Sequence, residues 1–195
     1  KIEEALLELQ EKEVEAIILD LRNNSGGLVS SGIAVADSFL DGSLIVETKN
    51  REGIKDSIIS QTDSFFEGPM VTLVNKGTAS ASEILAGALQ DNKRSTLMGK
   101  QTYGKGVIQS LKNLTETSGI AITVASYLTP NGNNIQDRGI TPDIILDLTE
   151  AKDFGGSEDS WLKNAEIYLT SILDKDESDD NKDNLNIDIS SNNID

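Results

Sequence analysis

The sequence contains no histidine and no cysteine. The absence of cysteine excludes disulfide bonds, thiolate metal sites and cysteine nucleophiles, and without either residue type the usual zinc sites are excluded as well. Histidine is also the commonest general base, so a catalytic serine in this chain needs another group to take its proton. Carboxylate sites for Ca²⁺ or Mg²⁺ stay open but are only weakly indicated, so we expect no metal ion and no cofactor. For any nucleophilic chemistry we expect a base other than histidine.

Basic residues are scarce. The 17 Lys and Arg stand against 33 Asp and Glu, which gives a formal net charge of −16. Because phosphate contacts need Lys or Arg, such a chain is a poor nucleic-acid binder. Long apolar runs are also absent, so the sequence offers no candidate membrane span and no signal peptide. The composition therefore favours a function on small molecules or proteins over one on nucleic acid.

The acidic charge is concentrated towards the C-terminal end. From Asp174 to Asp195 the chain carries eight acids and two lysines. Such a segment cannot bury enough apolar surface to offset its ordering entropy, so we predict a disordered or loosely attached tail. Calcium binding is the alternative, which is disfavoured because the acids lack the loop glycine and spacing of an EF-hand. We therefore divide the chain into a core, residues 1–173, and an acidic tail, residues 174–195.

Hydrophobic periodicity predicts strands that alternate with helices along the core. The predicted helices cover residues 1–13, 28–40, 80–91 and 161–173. The predicted strands cover residues 16–21, 43–48, 70–75, 95–98, 106–111, 120–128 and 143–148, with one or two more in a hairpin within 49–68. This order is typical of an α/β fold with a largely parallel or mixed sheet.

Ser80 follows a predicted strand and a loop, in the segment GTASASE of residues 77–83. It begins a predicted helix, so its hydroxyl lies at the positive end of the helix dipole beside free backbone N–H groups. An acyl-transfer nucleophile needs these surroundings. The alternative is a capping box, in which Ser80 is the N-cap and Glu83 binds back to its backbone. A serine can do both, so capping leaves the catalytic interpretation open.

Lys105 lies at a glycine-flanked strand entry, in the segment YGKGVIQ of residues 103–109. Alternation along a strand places Lys105, Val107 and Gln109 on one face. A lysine that faces inward beside an amide can be oriented by it, and burial favours the neutral amine that acts as a base. The alternative is an exposed, solvated lysine between two flexible glycines.

A Gly26-Gly27 turn follows a buried-type strand and precedes a helix. In α/β folds this is where backbone groups bind ligands. The N–H groups of Gly26 and Ala81 are candidate donors to an oxyanion. The alternative is an ordinary strand-to-helix turn.

Residues 99–105 match the G-x-x-x-x-G-K part of a phosphate-binding loop. The next position should be Ser or Thr to hold Mg²⁺, and here it is Gly106. The loop should also open a helix, whereas residues 107–111 are typical of a strand. Nucleotide binding at this loop is therefore disfavoured.

Four segments together carry a resemblance to a known family. They are LDLRNNSGG at 19–27, NKGTASASEI at 75–84, GKGVIQ at 104–109 and GITPD at 139–143. In order and spacing, including the 25-residue step from Ser80 to Lys105, the chain resembles the carboxyl-terminal processing proteases, or tail-specific proteases, of the S41 serine peptidase family. The resemblance covers about residues 1–173, and Ser25 stands where the family often has proline.

The resemblance implies a Ser–Lys dyad. Ser80 would be the nucleophile, Lys105 the general base and Gln109 the group that orients Lys105, with Gly26 and Ala81 as the oxyanion N–H donors. It implies a serine endopeptidase that cleaves proteins near their C-termini. It also implies a twisted ClpP/crotonase-like α/β core of ββα units.

The resemblance carries further expectations about the whole protein. Family members usually have a PDZ module that binds an apolar substrate C-terminus, and many have an N-terminal membrane anchor and work outside the cytoplasm. We find no PDZ module in this sequence, and we expect the chain to be an N-terminally truncated catalytic core. Oligomers are possible.

Two alternatives from other functional classes stay open. One is a catalytically inactive peptide-binding or scaffold module with the same core. The other is an enzyme acting on a phosphate ligand or a CoA ester on a crotonase-like core, which also uses backbone oxyanion donors. Peptide binding without turnover supports the first alternative, and stabilisation by acyl-CoA supports the second.

Overall fold

The computed structural model describes residues 2–61, 63–146 and 153–190, with the side chains of all but Lys55, Leu111 and residues 176–190. Four helices and eight strands occur within these residues. The helices are α1 (Ile2–Glu11), α2 (Val29–Asp37), α3 (Ala81–Asp91) and α4 (Ser160–Ser190). The strands are β1 (Ile17–Asp20), β2 (Leu44–Asn50), β3 (Gly53–Ile59), β4 (Met70–Val74), β5 (Thr96–Gly99), β6 (Val107–Asn113), β7 (Gly119–Leu128) and β8 (Ile144–Ile145).

The strands form two four-stranded sheets. One is parallel, in the order β1-β4-β5-β8, and the other is antiparallel, in the order β3-β2-β7-β6. The mixture of parallel and antiparallel pairing that the sequence predicts is therefore present, but it is divided between two sheets. The predicted hairpin within 49–68 is β2 with β3.

The central strand of the parallel sheet is buried on both faces. All five residues of β4 are buried, as expected for a central parallel strand. Met70 and Val74 join the larger core cluster, to which α1, α2 and α3 also contribute. The alternate residues Val71 and Leu73 join a second cluster, in which α4 contributes Trp161. Because successive strand residues face opposite sides, helices cover the sheet from both sides.

The predicted elements are all present, and most ends are shifted by a few residues. Lys1 and residues 147–148, which the sequence assigns to the first helix and the last strand, lie outside the described residues. The main difference is α4, which continues to Ser190 rather than ending near residue 173. The helical backbone thus extends into the acidic segment, although that segment is rich in Asp, Asn and Ser, which are weak helix formers. Residues 191–195 of the predicted tail are not described, and its loose attachment stays a prediction.

The topology places three loops side by side. Because β1, β4 and β5 are parallel neighbours, the loops after their carboxyl ends meet at one edge of the sheet. These loops are residues 21–28, 75–80 and 100–106, which contain every candidate site residue except Ala81 and Gln109. Among the described helices, none has the length and apolar character that crossing a bilayer requires.

Candidate active site

The loops after β1 and β4 are joined by hydrogen bonds between their polar groups. The Asn23 N–H donates to Asn75 Oδ1 at 2.9 Å, and Asn75 Nδ2 donates back to Asn23 Oδ1 at 3.1 Å. The Ala79 N–H donates to the Asn24 carbonyl oxygen at 3.0 Å. The turn that carries Gly26 is therefore held against the segment that leads into Ser80.

Gly26 lies so close to residues 79–81 that no other residue fits. A Cβ atom at this position would lie 2.6 Å from the Ala79 carbonyl oxygen and 2.9 Å from the Ala81 nitrogen. Its φ of +88° also lies in a region that L side chains rarely adopt. The structure therefore brings together the two residues that the sequence predicts as oxyanion donors.

Ser80 is half-buried and has an unusual backbone conformation, with φ +57° and ψ −121°. A non-glycine residue in such a region stores about 1–3 kcal/mol of strain, and such residues cluster at functional sites. The nucleophile of α/β-hydrolases likewise lies on a strained turn between a strand and a helix. Ser80 is also the N-cap of α3, where its N–H donates to Glu83 Oε2 at 2.9 Å.

Glu83 connects the serine and lysine segments. Its side chain is fully buried. Oε2 accepts the Ser80 N–H at 2.9 Å and the Lys105 N–H at 2.8 Å. Oε1 accepts the Gly104 N–H at 2.7 Å and the Thr102 hydroxyl at 2.5 Å. Four donors therefore satisfy the buried carboxylate, and the backbone nitrogens of Ser80 and Lys105 lie within two hydrogen-bond lengths of each other.

Thr102 extends this network to the loop before β8. Its hydroxyl donates to Glu83 and accepts the Ile140 N–H at 2.7 Å. Gly139, with φ +68°, allows its loop to approach Thr102 closely, because a Cβ at this position would clash with the Thr102 carbonyl oxygen. The hydrogen bonds thus continue from Ser80 through Glu83 and Thr102 to residues 139–143.

Lys105, Val107 and Gln109 line one open cavity of about 480 Å³. Their predicted common face is therefore present. Lys105 and Gln109 are both exposed, however. The described residues therefore do not bury the Lys105 side chain as the catalytic interpretation predicts, because the cavity that it lines is open to water.

The two candidate oxyanion donors differ in their present partners. The Gly26 N–H donates to Asn24 Oδ1 at 3.0 Å. The Ala81 N–H, in the first turn of α3, has no hydrogen-bond acceptor among the described residues. Binding an oxyanion requires Gly26 to exchange its neutral, exposed acceptor for a charged one. That exchange is favourable, since charge-assisted hydrogen bonds are about twice as strong as neutral ones.

An apolar cavity of about 280 Å³ lies beside Gly26 and Ala81. Leu19, Leu28 and Leu85 contribute to its walls. A peptide bound with its carbonyl oxygen at the two N–H groups would have this cavity within reach of a neighbouring side chain. No local pattern in the sequence predicts this cavity, because its walls come from three separated stretches, at residues 2, 19–35 and 81–85.

Two features of the candidate site go beyond what the sequence predicts. The sequence predicts Glu83 only as a helix cap, and the positive φ of Ser80 has no signature in a single sequence. The available signal for Glu83 is an acid in the first turn of α3, directly before the apolar run of residues 84–89. Among the described residues, no group of three potential ligands is arranged to hold a metal ion.

Comparison with known proteins gives consistent results. The model of peptidase family S41 matches residues 1–146. A carboxyl-terminal-processing protease of Synechocystis sp. is 50% identical over 147 residues, which is 75% of this chain and 34% of that protein. The chloroplastic carboxyl-terminal-processing peptidase 3 of Arabidopsis thaliana is 48% identical over 145 residues, which is 73% of this chain and 28% of that protein.

A solved structure of the photosystem II D1 C-terminal processing protease superposes with a TM-score of 0.72 at 44% identity. It covers 75% of this chain and 38% of that one. This likeness confirms the α/β fold that the resemblance implies. The chain spans about a third of the length of the relatives it matches.

Proposed function

We propose that this chain, which belongs to peptidase family S41, forms the catalytic part of a serine endopeptidase that cleaves proteins near their C-termini. Ser80 is its nucleophile and Lys105 its general base. The observation that carries the proposal is the strained backbone of Ser80, joined to that of Lys105 through one buried carboxylate oxygen of Glu83. The relatives named as carboxyl-terminal processing proteases support the choice of reaction.

The reaction begins when the Ser80 hydroxyl oxygen attacks a peptide carbonyl carbon and its proton passes to the neutral Lys105 amine. The carbonyl oxygen becomes an oxyanion, which the N–H groups of Gly26 and Ala81 stabilise. The C–N bond then breaks, and the Lys105 ammonium returns the proton to the leaving amine. Water next attacks the acyl ester with Lys105 as base, which releases the acyl group and restores the serine.

Because Lys105 is exposed, the substrate itself has to remove water from the lysine amine. A peptide that occupies the open cavity beside Lys105 and Gln109 displaces water from the lysine amine. Removal of water disfavours the ammonium and favours the neutral base. The Gln109 amide, on the same cavity, orients the amine. The base is thus formed fully only when substrate is bound.

The expectations about the whole protein are part of this proposal. We expect a PDZ module that binds an apolar substrate C-terminus, and we expect the protein to act outside the cytoplasm, tethered by an N-terminal anchor or secreted. The substrate would then add to a sheet edge as an extra strand while its C-terminus is held.

The test is cleavage of an unfolded protein with an apolar C-terminus by the complete protein. We expect Ser80→Ala and Lys105→Ala each to abolish cleavage without loss of folding. The matched controls are Ser171→Ala on α4 and Lys112→Ala at the far end of β6, both exposed, which should retain activity. Normal activity in either site variant contradicts the dyad. Tight peptide binding by a wild-type protein that never cleaves favours the scaffold alternative.

A further inference from the structure

Arg22, at the start of the Gly26 turn, has a fully buried side chain that forms ion pairs with the carboxylates of Asp20 and Asp159. Nη1 and Nη2 donate to the two oxygens of Asp159 at 2.9 and 2.6 Å. Nε donates to Asp20 Oδ1 at 2.9 Å, and Nη2 donates to Asp20 Oδ2 at 2.6 Å. Such bidentate pairs fix the orientation of a guanidinium more strictly than a single contact does.

The second carboxylate comes from the other end of the chain. Asp159 is as fully buried as Arg22 and immediately precedes α4. It caps that helix, because Oδ1 accepts the N–H groups of Trp161 and Leu162 at 3.2 Å. The hydrogen bonds from Arg22 hold the pKa of the Asp159 carboxyl well below its usual range. One aspartate therefore fixes both the start of α4 and the arginine of a distant turn.

Aromatic rings close the site around the guanidinium. The Arg22 guanidinium carbon lies 4.4 Å from the centre of the Phe154 ring and 5.9 Å from that of Trp161. Stacked arginines of this kind are held in one plane. Phe154, Asp159 and Trp161 all lie beyond residues 1–146, the part that the family model matches. Asp20 lies inside the matched region, but the rest of the fixation of Arg22 is supplied from outside it.

Only three residues separate Arg22 from Gly26. On the other side of the turn, Asn23 is bonded to Asn75, and the Asn24 carbonyl oxygen accepts the Ala79 N–H. The turn is therefore clamped between the nucleophile loop on one side and the segment before α4 on the other. A rotation of Arg22 displaces the backbone that leads directly to Gly26.

We propose that Arg22 and Asp159 are positioning residues of the active site, through which the segment before α4 holds the Gly26 N–H in its oxyanion-binding place. The pair touches neither substrate nor reacting atoms. This inference rests on the proposed function for its effect on catalysis, but the clamp itself is a property of the turn. Catalytic geometry in the S41 core of this chain thus depends on residues 153–162.

The test compares Asp159→Asn with Leu169→Ala in the complete protein. Asparagine keeps an oxygen that can cap α4 but loses the charge and the second acceptor for Arg22. Leu169→Ala is the matched control, since Leu169 packs α4 against the sheet within the second core cluster. The first readout is hydrogen exchange of the backbone amides of residues 22–27. The second is kcat and KM for a peptide substrate.

We expect Asp159→Asn to speed exchange in residues 22–27 about tenfold and to lower kcat about 10- to 100-fold with little change in KM, because small displacements of reacting groups have effects of this size. Leu169→Ala should lower the unfolding temperature and leave both readouts unchanged. Phe154→Ala removes one stacking face only, so a smaller change in the same direction is expected even if Asp159→Asn folds poorly.

If the backbone amides of residues 22–27 exchange at the same rate in Asp159→Asn, Phe154→Ala and the wild type, the proposal that Arg22 and Asp159 hold the turn is wrong. Faster exchange to the same extent in Leu169→Ala also overturns it, because the effect is then one of general stability. If the wild type cleaves no peptide, the proposed function fails, and the exchange measurements still decide on the clamp.

Discussion

The substitution Glu83→Gln tests whether one buried carboxylate holds the nucleophile and the base in place. Glutamine has the same shape, but its side chain presents one acceptor oxygen and one NH₂ group instead of two oxygens. The least harmful orientation places the NH₂ where Oε1 is now, because the Thr102 hydroxyl can turn and accept from it. The Gly104 N–H, now 2.7 Å from Oε1, then faces a donor.

The expected loss in the free energy of unfolding follows from these contacts. One buried N–H without an acceptor costs about 1–3 kcal/mol. The remaining hydrogen bonds from Ser80 and Lys105 lose their charge and with it about half of their strength. The neutral amide is easier to bury than a carboxylate, which offsets a part of this loss. We therefore expect a loss of about 2–3 kcal/mol in the free energy of unfolding, or about 4–12 °C in unfolding temperature for a domain of this size.

The catalytic effect should exceed what the loss of stability explains. Because both backbone segments at the site relax, we expect kcat to fall about 10- to 100-fold at a temperature where the variant is fully folded. The assays are urea unfolding and steady-state cleavage of a peptide. Asp143→Asn is the control, since the Asp143 carboxylate also accepts a backbone N–H, from Leu97 at 2.8 Å, but contacts neither Ser80 nor Lys105. A Glu83→Gln variant with wild-type kcat, or an equal fall in Asp143→Asn, refutes the reasoning.

Two further predictions follow from the turn beside the nucleophile. Gly26→Ala should lower kcat on the order of 100-fold, since its Cβ would lie 2.6 Å from a backbone carbonyl oxygen; steady-state kinetics that match the wild type contradict the close approach. Acid should destabilise the protein below about pH 4, because Arg22 lowers the pKa of Asp159. That contribution is complete above the unfolded-state pKa and is lost as the pH falls towards the lowered value. Between about pH 5 and pH 2 the unfolding free energy of Asp159→Asn should therefore fall less steeply than that of the wild type; equal slopes contradict it.

Periodicity predicted the elements well because the sheet topology makes their patterns strong. β4 is buried on both faces and is apolar except for Thr72. Its neighbours β1 and β5 are apolar over two or three residues each. The end of α4 was predicted poorly, since the acidic segment from 174 onward has no apolar face that marks a boundary. The division of the strands into two sheets depends on contacts between distant residues, which no local pattern records.

In the candidate site, too, the sequence predicts the individual residues but not their arrangement. The proposed nucleophile Ser80, the proposed base Lys105 and the Gly26 turn each stand in a short segment with its own signature, so a single sequence is enough to predict them. Their arrangement depends on Glu83, whose partners Thr102 and Gly104 are 19 and 21 residues away. Arg22 and Asp159 are 137 residues apart. A single sequence shows that an acid lies in a helix or a loop, but not which donors surround it.

The absence of histidine gives this network its particular form. In a Ser–His–Asp triad the acid holds the base through a side-chain hydrogen bond, because imidazole has a second nitrogen to offer. A lysine amine has no second site of that kind, so an acid beside it would stabilise the ammonium and weaken the base. Glu83 avoids this effect, because it binds the backbone N–H of Lys105 and not the amine. Glu83 thus fixes the backbone of Lys105, and in the proposed mechanism Gln109 and the bound substrate orient the amine.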